Sequence, residues 1–170
     1  MGLRHAGAGA PTAGGAAGRD HINHTRPNTK PQKSDNFPML EPDSASAMIF
    51  AAGFGTRMGD LTVDRPKPLL QMHGRALIDY TLDHVRAFGP RSVVVNAHYH
   101  ADQIQAHFRD TDVDVALEQD EILDTGGGLK AALHILDTGI VITLNSDTLW
   151  RGPNPIAALA QHWDPDRMDA

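Results

Sequence analysis

The sequence contains no cysteine, which excludes a disulfide scaffold, a thiolate zinc site and a cysteine nucleophile, and permits a reducing cytoplasm without requiring one. It has no long hydrophobic run. The longest uninterrupted apolar stretch is Ala47–Ala52, far short of the roughly 20 residues that cross a bilayer, so no membrane partner is expected. Positive charge is also scarce: 15 Lys and Arg stand against 21 Asp and Glu, a net −6. Broad, sequence-independent nucleic-acid binding needs a basic face, so no nucleic-acid partner is expected either, and any bound phosphate must be held by a local basic cluster. What is present, 170 residues of which 41% are apolar, suffices for one globular domain with a core and not for two.

The apolar residues are unevenly placed. Residues 1–46 hold 7 Ala, 6 Gly and 5 Pro, with only Met1, Leu3, Ile22, Phe37, Met39 and Leu40 as large apolar side chains and no strand or helix period. Such a segment cannot bury enough surface to offset chain entropy, so it is expected to be a disordered low-complexity extension preceding a domain over 47–170. Its first 34 residues are basic, five Arg and Lys against Asp20. No apolar run of seven or more residues accompanies them, so the pattern is not that of a secretory signal.

From Ala47 the period alternates between short buried runs and helical spacing. Residues 47–51 form a continuous apolar run stopped by Gly53, as expected of a strand buried on both faces. Leu77, Ile78, Thr81, Leu82, Val85 and Phe88 share one helical face, and Gly89-Pro90 supplies the stop. Strands are expected at 93–95, 113–117 and 140–144, and helices at 102–108, at 129–136 after the triple glycine, and from Pro155 to Trp163 behind an Asn154 cap. The order β-α-β-α-β-α-β predicts an α/β fold: a Rossmann-like, mostly parallel sheet flanked by helices. The last helix calls for a following strand, and none is present, so the sheet is expected to be truncated at its C-terminal side. No internal repeat is visible, and nothing in the sequence sets an oligomeric state.

In an open parallel sheet, ligands sit beyond the carboxyl ends of the strands. The first such end reads Ala51-Ala52-Gly53-Phe54-Gly55-Thr56-Arg57-Met58-Gly59, followed by Arg65-Pro66-Lys67-Pro68-Leu69. Small residues let backbone N–H groups approach a phosphate chain, and Arg57 and Lys67 can neutralise it. A Walker loop is excluded because Gly59 is followed by Asp60, and the G-x-G-x-x-G fingerprint is excluded because Gly53, Gly55 and Gly59 are spaced G-x-G-x-x-x-G. The competing account is a glycine-rich surface loop with solvated charges. The fourth strand ends in Asn145-Ser146-Asp147, where Asp147 is either a Mg²⁺ ligand facing the cations or part of an Asx turn. Between these segments, glycines 126–128 could let a base or sugar rest on the backbone or simply ease entry into a helix. Asn96, at the end of the second strand, either reaches a sugar or caps the strand end.

These blocks resemble the sugar-1-phosphate nucleotidyltransferases, in the same order, over about Ala47 to Trp163. Within that family, Leu123-Asp124-Thr125-Gly126-Gly127-Gly128 is most similar to the branch that uses UTP and N-acetylmuramate 1-phosphate in peptidoglycan sugar recycling. The resemblance implies a cytoplasmic enzyme whose partners are a nucleoside triphosphate and a sugar 1-phosphate, with Mg²⁺ as cofactor. It implies that Gly55, Thr56, Arg57 and Lys67 contact the nucleoside triphosphate, that Asn145 contacts the sugar and that Asp147 binds the metal; Ala52, Gly53 and Gly126 are further expected at the nucleotide and Asn96 at the sugar, with Arg57, Lys67 and Asp147 as the catalytic residues. The family continues with further sugar-binding strands and a second metal-binding Asp, and this sequence has neither.

The chemistry asks little of the protein. A phosphate monoester has a second pKa of about 6 and is already an anionic nucleophile at neutral pH, so alignment and charge neutralisation suffice without a catalytic triad. Two rivals stand beside this reading: a non-catalytic nucleotide-binding or nucleotide-sugar-binding domain, and a dinucleotide dehydrogenase that the glycine spacing disfavours. His98 and His100 would share a face if the strand continued through them, but no third metal ligand is placed by sequence. Trp150 and Trp163 are expected to be core or hydrophobic cover.

Overall fold

In the computed structural model, which describes residues 39–168, four parallel strands form one sheet. The strands are β1 (Ala45–Phe50), β4 (Val93–Ala97), β5 (Val113–Leu117) and β6 (Ile140–Asn145), in the order β5-β4-β1-β6. A two-stranded antiparallel hairpin, β2 (Gln71–Met72) and β3 (Arg75–Ala76), lies between β1 and the first helix. The helices are α1 (Leu77–Phe88), α2 (Ala101–Phe108), α3 (Asp124–Ala132) and α4 (Pro155–Ala160).

Side-chain alternation along β1 builds two cores. Ala45, Ala47 and Ile49 face one side, where Ile78, Leu82 and Val85 of α1, Ile104 and Phe108 of α2, and Ile156 of α4 cover them. Met48 faces the other side with Val94, against Ala132 of α3 and the nearby Leu136. Because both faces are covered, β1 and β4 read as near-continuous apolar runs, broken only by the buried Ser46 and Asn96. Helix α1 begins and ends where the apolar spacing predicts. It closes on Gly89, whose φ of 78° is the left-handed cap position and whose N–H donates to the Val85 carbonyl. Asn154 caps α4, accepting from the backbone N–H groups of Ile156 and Ala157, with Pro155 in the first turn.

Several expectations are corrected. Folded structure begins earlier than residue 47: Ala45 and Ser46 are fully buried in β1, and the Leu40 N–H donates to the Ala160 carbonyl at 3.1 Å. The described part of the expected extension, 39–46, therefore belongs to the folded unit; residues 1–38 lie outside the described residues. Helix α3 does not start after the glycines but runs through them from Asp124 to Ala132, and α4 stops at Ala160, short of Trp163. Trp150 is half exposed rather than core, while Trp163 is partly buried. Among the described residues no helix is long and apolar enough to cross a membrane.

Candidate functional site

Strand order reverses between β1 and β6: from β1 the chain builds outward through β4 and β5, then returns to the other side of β1 for β6. Loops leaving the carboxyl ends of strands on the two sides of such a point diverge and leave a crevice. A cleft of about 370 Å³ lies there, lined by the end of β4 and by the ends of, or segments following, β1, β5 and β6.

The loop after β1 is held open by its glycines and closed by Thr62. Gly55 has φ 66°, and a Cβ there would stand 3.0 Å from the Lys67 Cβ and 3.1 Å from the Thr62 Cγ2, so both conformation and space require glycine. The Thr62 hydroxyl lies 3.2 Å from the Gly55 carbonyl and 3.1 Å from that of Gly59, drawing the 3-10 turn Thr56–Thr62 into a tight arc. Lys67 is aimed by the prolines around it: Pro66 and Pro68 are both buried, and Lys67 opens a short 3-10 turn that runs through Pro68 to Leu69. Asp147 arrives from the end of β6. The Ser146 N–H donates to the Phe50 carbonyl at 3.3 Å, and the buried Thr81 hydroxyl of α1 donates to the Asn145 carbonyl at 3.2 Å.

Across the cleft the Lys67 ammonium pairs with the Asp147 carboxylate. Arg57 is exposed and forms no ion pair among the described residues. Ala52, Gly53, Gly55, Arg57, Lys67, Asn96, Asn145 and Asp147 all line this cleft. Thr56 and Gly126 do not: Thr56 lines an adjacent depression beside Phe54 and Tyr99, and Gly126 is exposed. Asn96 is buried in the floor, where its Oδ1 accepts from the Ala51 N–H at 2.7 Å and its Nδ2 donates to Glu118 Oε1 at 2.7 Å, the strand-end capping geometry.

Sequence reasoning passed over Glu118, Ile122, Asp124, Thr125 and Ser146, which also line the cleft. Glu118 had a usable signal, since it follows β5 directly and strand ends are where ligands sit. The paired-histidine metal site is not formed. Strand β4 stops at Ala97, His98 Nδ1 is 2.7 Å from the Glu118 carbonyl, and His100 Nε2 is 2.9 Å from the Val63 carbonyl. Among the described residues no group of three or more His, Asp or Glu side chains gathers to hold a metal.

Comparison with known proteins gives one direction. Residues 47–170 match the family model described as the MobA-like NTP transferase domain. The N-acetylmuramate alpha-1-phosphate uridylyltransferase of Caulobacter vibrioides is 43% identical over 132 residues, covering 72% of this chain and 54% of that protein. HddC from Yersinia pseudotuberculosis, solved complexed with GMP-PN, superposes with a TM-score of 0.54 at 28% identity, covering 61% of this chain and 48% of its own. A nucleotidyl transferase from Methanothermobacter thermautotroptrophicus shares the fold, with a TM-score of 0.58 at 24% identity over 70% of this chain and 57% of its own. The chain thus spans about half the length of these relatives.

Proposed function

This chain belongs to the MobA-like NTP transferase domain family, and we propose that it transfers a nucleoside monophosphate from a nucleoside triphosphate to a sugar 1-phosphate, releasing pyrophosphate. The observation that carries this reading is the cleft at the strand-order reversal, where Arg57, Lys67 and Asp147 face one another beyond a glycine-rich loop. The resemblance to the Caulobacter uridylyltransferase favours UTP and N-acetylmuramate 1-phosphate as substrates, within peptidoglycan sugar recycling. A nucleoside triphosphate substrate calls for a cytoplasmic location.

An oxygen of the sugar 1-phosphate attacks the α-phosphorus in line, the new P–O bond forms as the bond to the β-phosphate oxygen breaks, and pyrophosphate departs. The nucleophile is already ionised, so the site needs no general base. Its work is to bind and to neutralise: Arg57 and Lys67 hold phosphate oxygens, backbone N–H groups from Ala52 to Gly55 approach the chain, and Asn145 is placed for the sugar.

The donor set fits Mg²⁺. The cleft lining carries two cations, Arg57 and Lys67, and three carboxylates, Glu118, Asp124 and Asp147, so a triphosphate needs additional positive charge. Asp147, an exposed carboxylate at the end of β6, suits an ion that is otherwise ligated by phosphate oxygens and water. When bound there, Mg²⁺ would neutralise charge developing on the phosphate oxygens.

Pyrophosphate release with a panel of nucleoside triphosphates and sugar 1-phosphates tests the reading. UTP with N-acetylmuramate 1-phosphate should give the highest rate. Triphosphate binding without pyrophosphate release from any pair would leave a non-catalytic binding domain, and binding of NAD in place of a triphosphate would overturn the assignment.

A further inference from the structure

We propose that Asn96 and Glu118 form a buried positioning pair that holds the two walls of the cleft in register, with Gly128 as the socket that admits them. The effect on ligand binding rests on the triphosphate reading of the cleft; the pair itself does not.

Three hydrogen bonds run in series beneath the cleft. The Ala51 N–H donates to Asn96 Oδ1 at 2.7 Å, Asn96 Nδ2 donates to Glu118 Oε1 at 2.7 Å, and the Leu123 N–H donates to Glu118 Oε2 at 2.9 Å. The two ends of this series belong to opposite walls. Ala51 leads into Gly53–Gly55, whereas Leu123 leads into Asp124 and Thr125, which line the cleft at the start of α3. Immediately after the Leu123 tie, Asp124 takes φ 54°, a left-handed backbone that Asp tolerates but seldom adopts.

Acceptor count fixes the orientation of every group. Both ends are backbone N–H groups, which can only donate. Three junctions need three acceptors; the amide supplies one and the carboxylate two. Turning the Asn96 amide over would set its NH₂ against the Ala51 N–H. Asn96 is 3% exposed and Glu118 7%, so little water reaches a mismatched junction, and a buried unsatisfied donor is costly. A Cβ on Gly128 would stand 2.7 Å from Glu118 Oε1 and 2.9 Å from Asn96 Nδ2. Glycine at 128 is therefore a requirement of space, since its backbone is ordinary helix. Because these polar atoms hold one another and the walls, Asn96 and Glu118 act as positioning residues rather than as groups that touch the reacting atoms.

The series supplies its own test. Glu118→Gln leaves two acceptors for three junctions, so one donor meets another however the amides turn. Asn96→Asp sets two carboxylates face to face. The double variant Asn96→Asp with Glu118→Gln exchanges amide and carboxylate, restoring three acceptors at unchanged net charge and nearly unchanged size. Amide hydrogen exchange at Ala51 and Leu123 and the affinity for UTP with Mg²⁺ would be measured in the full chain. Each single variant should speed exchange at one or both amides and raise the Kd by about tenfold or more, and the double variant should recover most of both losses. Gly128→Ala should behave as Glu118→Gln does. Unchanged exchange in Glu118→Gln, unchanged affinity despite faster exchange, or a double variant as impaired as its parents would each overturn the proposal. Should the single variants fail to fold, folding of the double variant is itself the rescue, and its failure to fold overturns the pair. If the unaltered chain binds no triphosphate, the triphosphate reading falls while the two exchange rates still decide the pair.

Discussion

Strands β4 and β6 both flank β1, yet they differ in almost every physical respect. All five residues of β4 are buried, and its end is tied down by the Asn96 amide in the cleft floor. Of the six residues in β6 only Ile142 is buried. Strand β6 pairs on one side alone among the described residues and delivers the exposed Asn145 and Asp147 to the cleft. The β4 side is thus buried and tied down, and the β6 side presents solvent-accessible charge to the cleft. One strand pair carries stability and chemistry on opposite edges of β1, so substitutions on the two sides should separate into different measurements.

The largest effect should come from a like-for-like truncation. Val95 on β4 is fully buried, and Val141 on β6 is half-buried against the smaller core. Val95→Ala should cost about 2–3 kcal/mol, combining lost transfer energy with a cavity, and Val141→Ala about 1 kcal/mol or less. Urea denaturation reads both, and equal shifts in midpoint would erase the distinction between the two sides.

Next is Arg57→Ala, which removes a cation that has no ion-pair partner among the described residues. Stability should not change measurably. Triphosphate binding should weaken by about 1.5–3 kcal/mol, the size of a charge-assisted contact, while nucleoside binding is nearly unaffected. Calorimetric titration with UTP and with uridine separates these outcomes, and equal weakening of both ligands would remove Arg57 from the phosphates.

What the sequence made legible follows the same division. The runs at 47–51, 113–117 and 140–144 and the stripe at 77–88 announce themselves by period, because packing on two faces, near-complete for β1 and partial for β5 and β6, or on one helical stripe leaves a local pattern. Arg57, Lys67 and Asp147 could be nominated because strand ends in a parallel sheet are where ligands sit, and the structure brings all three to one cleft. The hairpin of β2 and β3 was not visible, since two-residue strands have no period and their turn is set by His73 and Gly74 at positive φ. Helix α3 was misplaced for a different reason: each glycine costs a helix about 1 kcal/mol relative to Ala, so the triple glycine reads as a boundary. Space nevertheless requires glycine at 127 and 128, where a Cβ would meet the Cβ of Leu123, the helix's own N-cap, at 2.9 Å and Glu118 Oε1 at 2.7 Å. Nothing in the structure explains why position 126 is also glycine. The Asn96–Glu118 link was hidden because its partners are 22 residues apart and neither end has a local signature.

Asp147→Asn sharpens the β6 side. The variant keeps the size of the side chain, removes the charge that pairs with Lys67 and frees that ammonium for phosphate. Metal-free triphosphate affinity should rise a few-fold, since a partly exposed ion pair is worth roughly 1 kcal/mol at most, whereas the gain on adding Mg²⁺ should disappear. Titrations with and without EDTA measure both arms. A Mg²⁺-dependent gain as large as that of the unaltered chain would place the metal elsewhere.

The smallest effect tests whether surface charge contributes to the buried side at all. Arg86 on α1 donates to Asp112, just before β5, at 2.7 Å, and both side chains are well exposed. The hydrogen bond from Arg86, with a further backbone hydrogen bond, holds the Asp112 carboxyl below its ordinary value. A carboxyl whose folded pKa is depressed contributes stability above its unfolded pKa of about 3.9 and loses that contribution as pH falls through the folded value. The Arg86→Ala chain should therefore be less stable than the unaltered one at pH 7, by no more than a few tenths of a kcal/mol after solvent screening, and the gap should close at an acid pH below the folded value. Paired urea titrations at the two pH values measure it. A gap that persists at low pH would mean that Arg86 acts through packing of its aliphatic stem rather than through Asp112, and a gap of several kcal/mol would mean that the β4 side depends on its surface charges as well as on its buried strands.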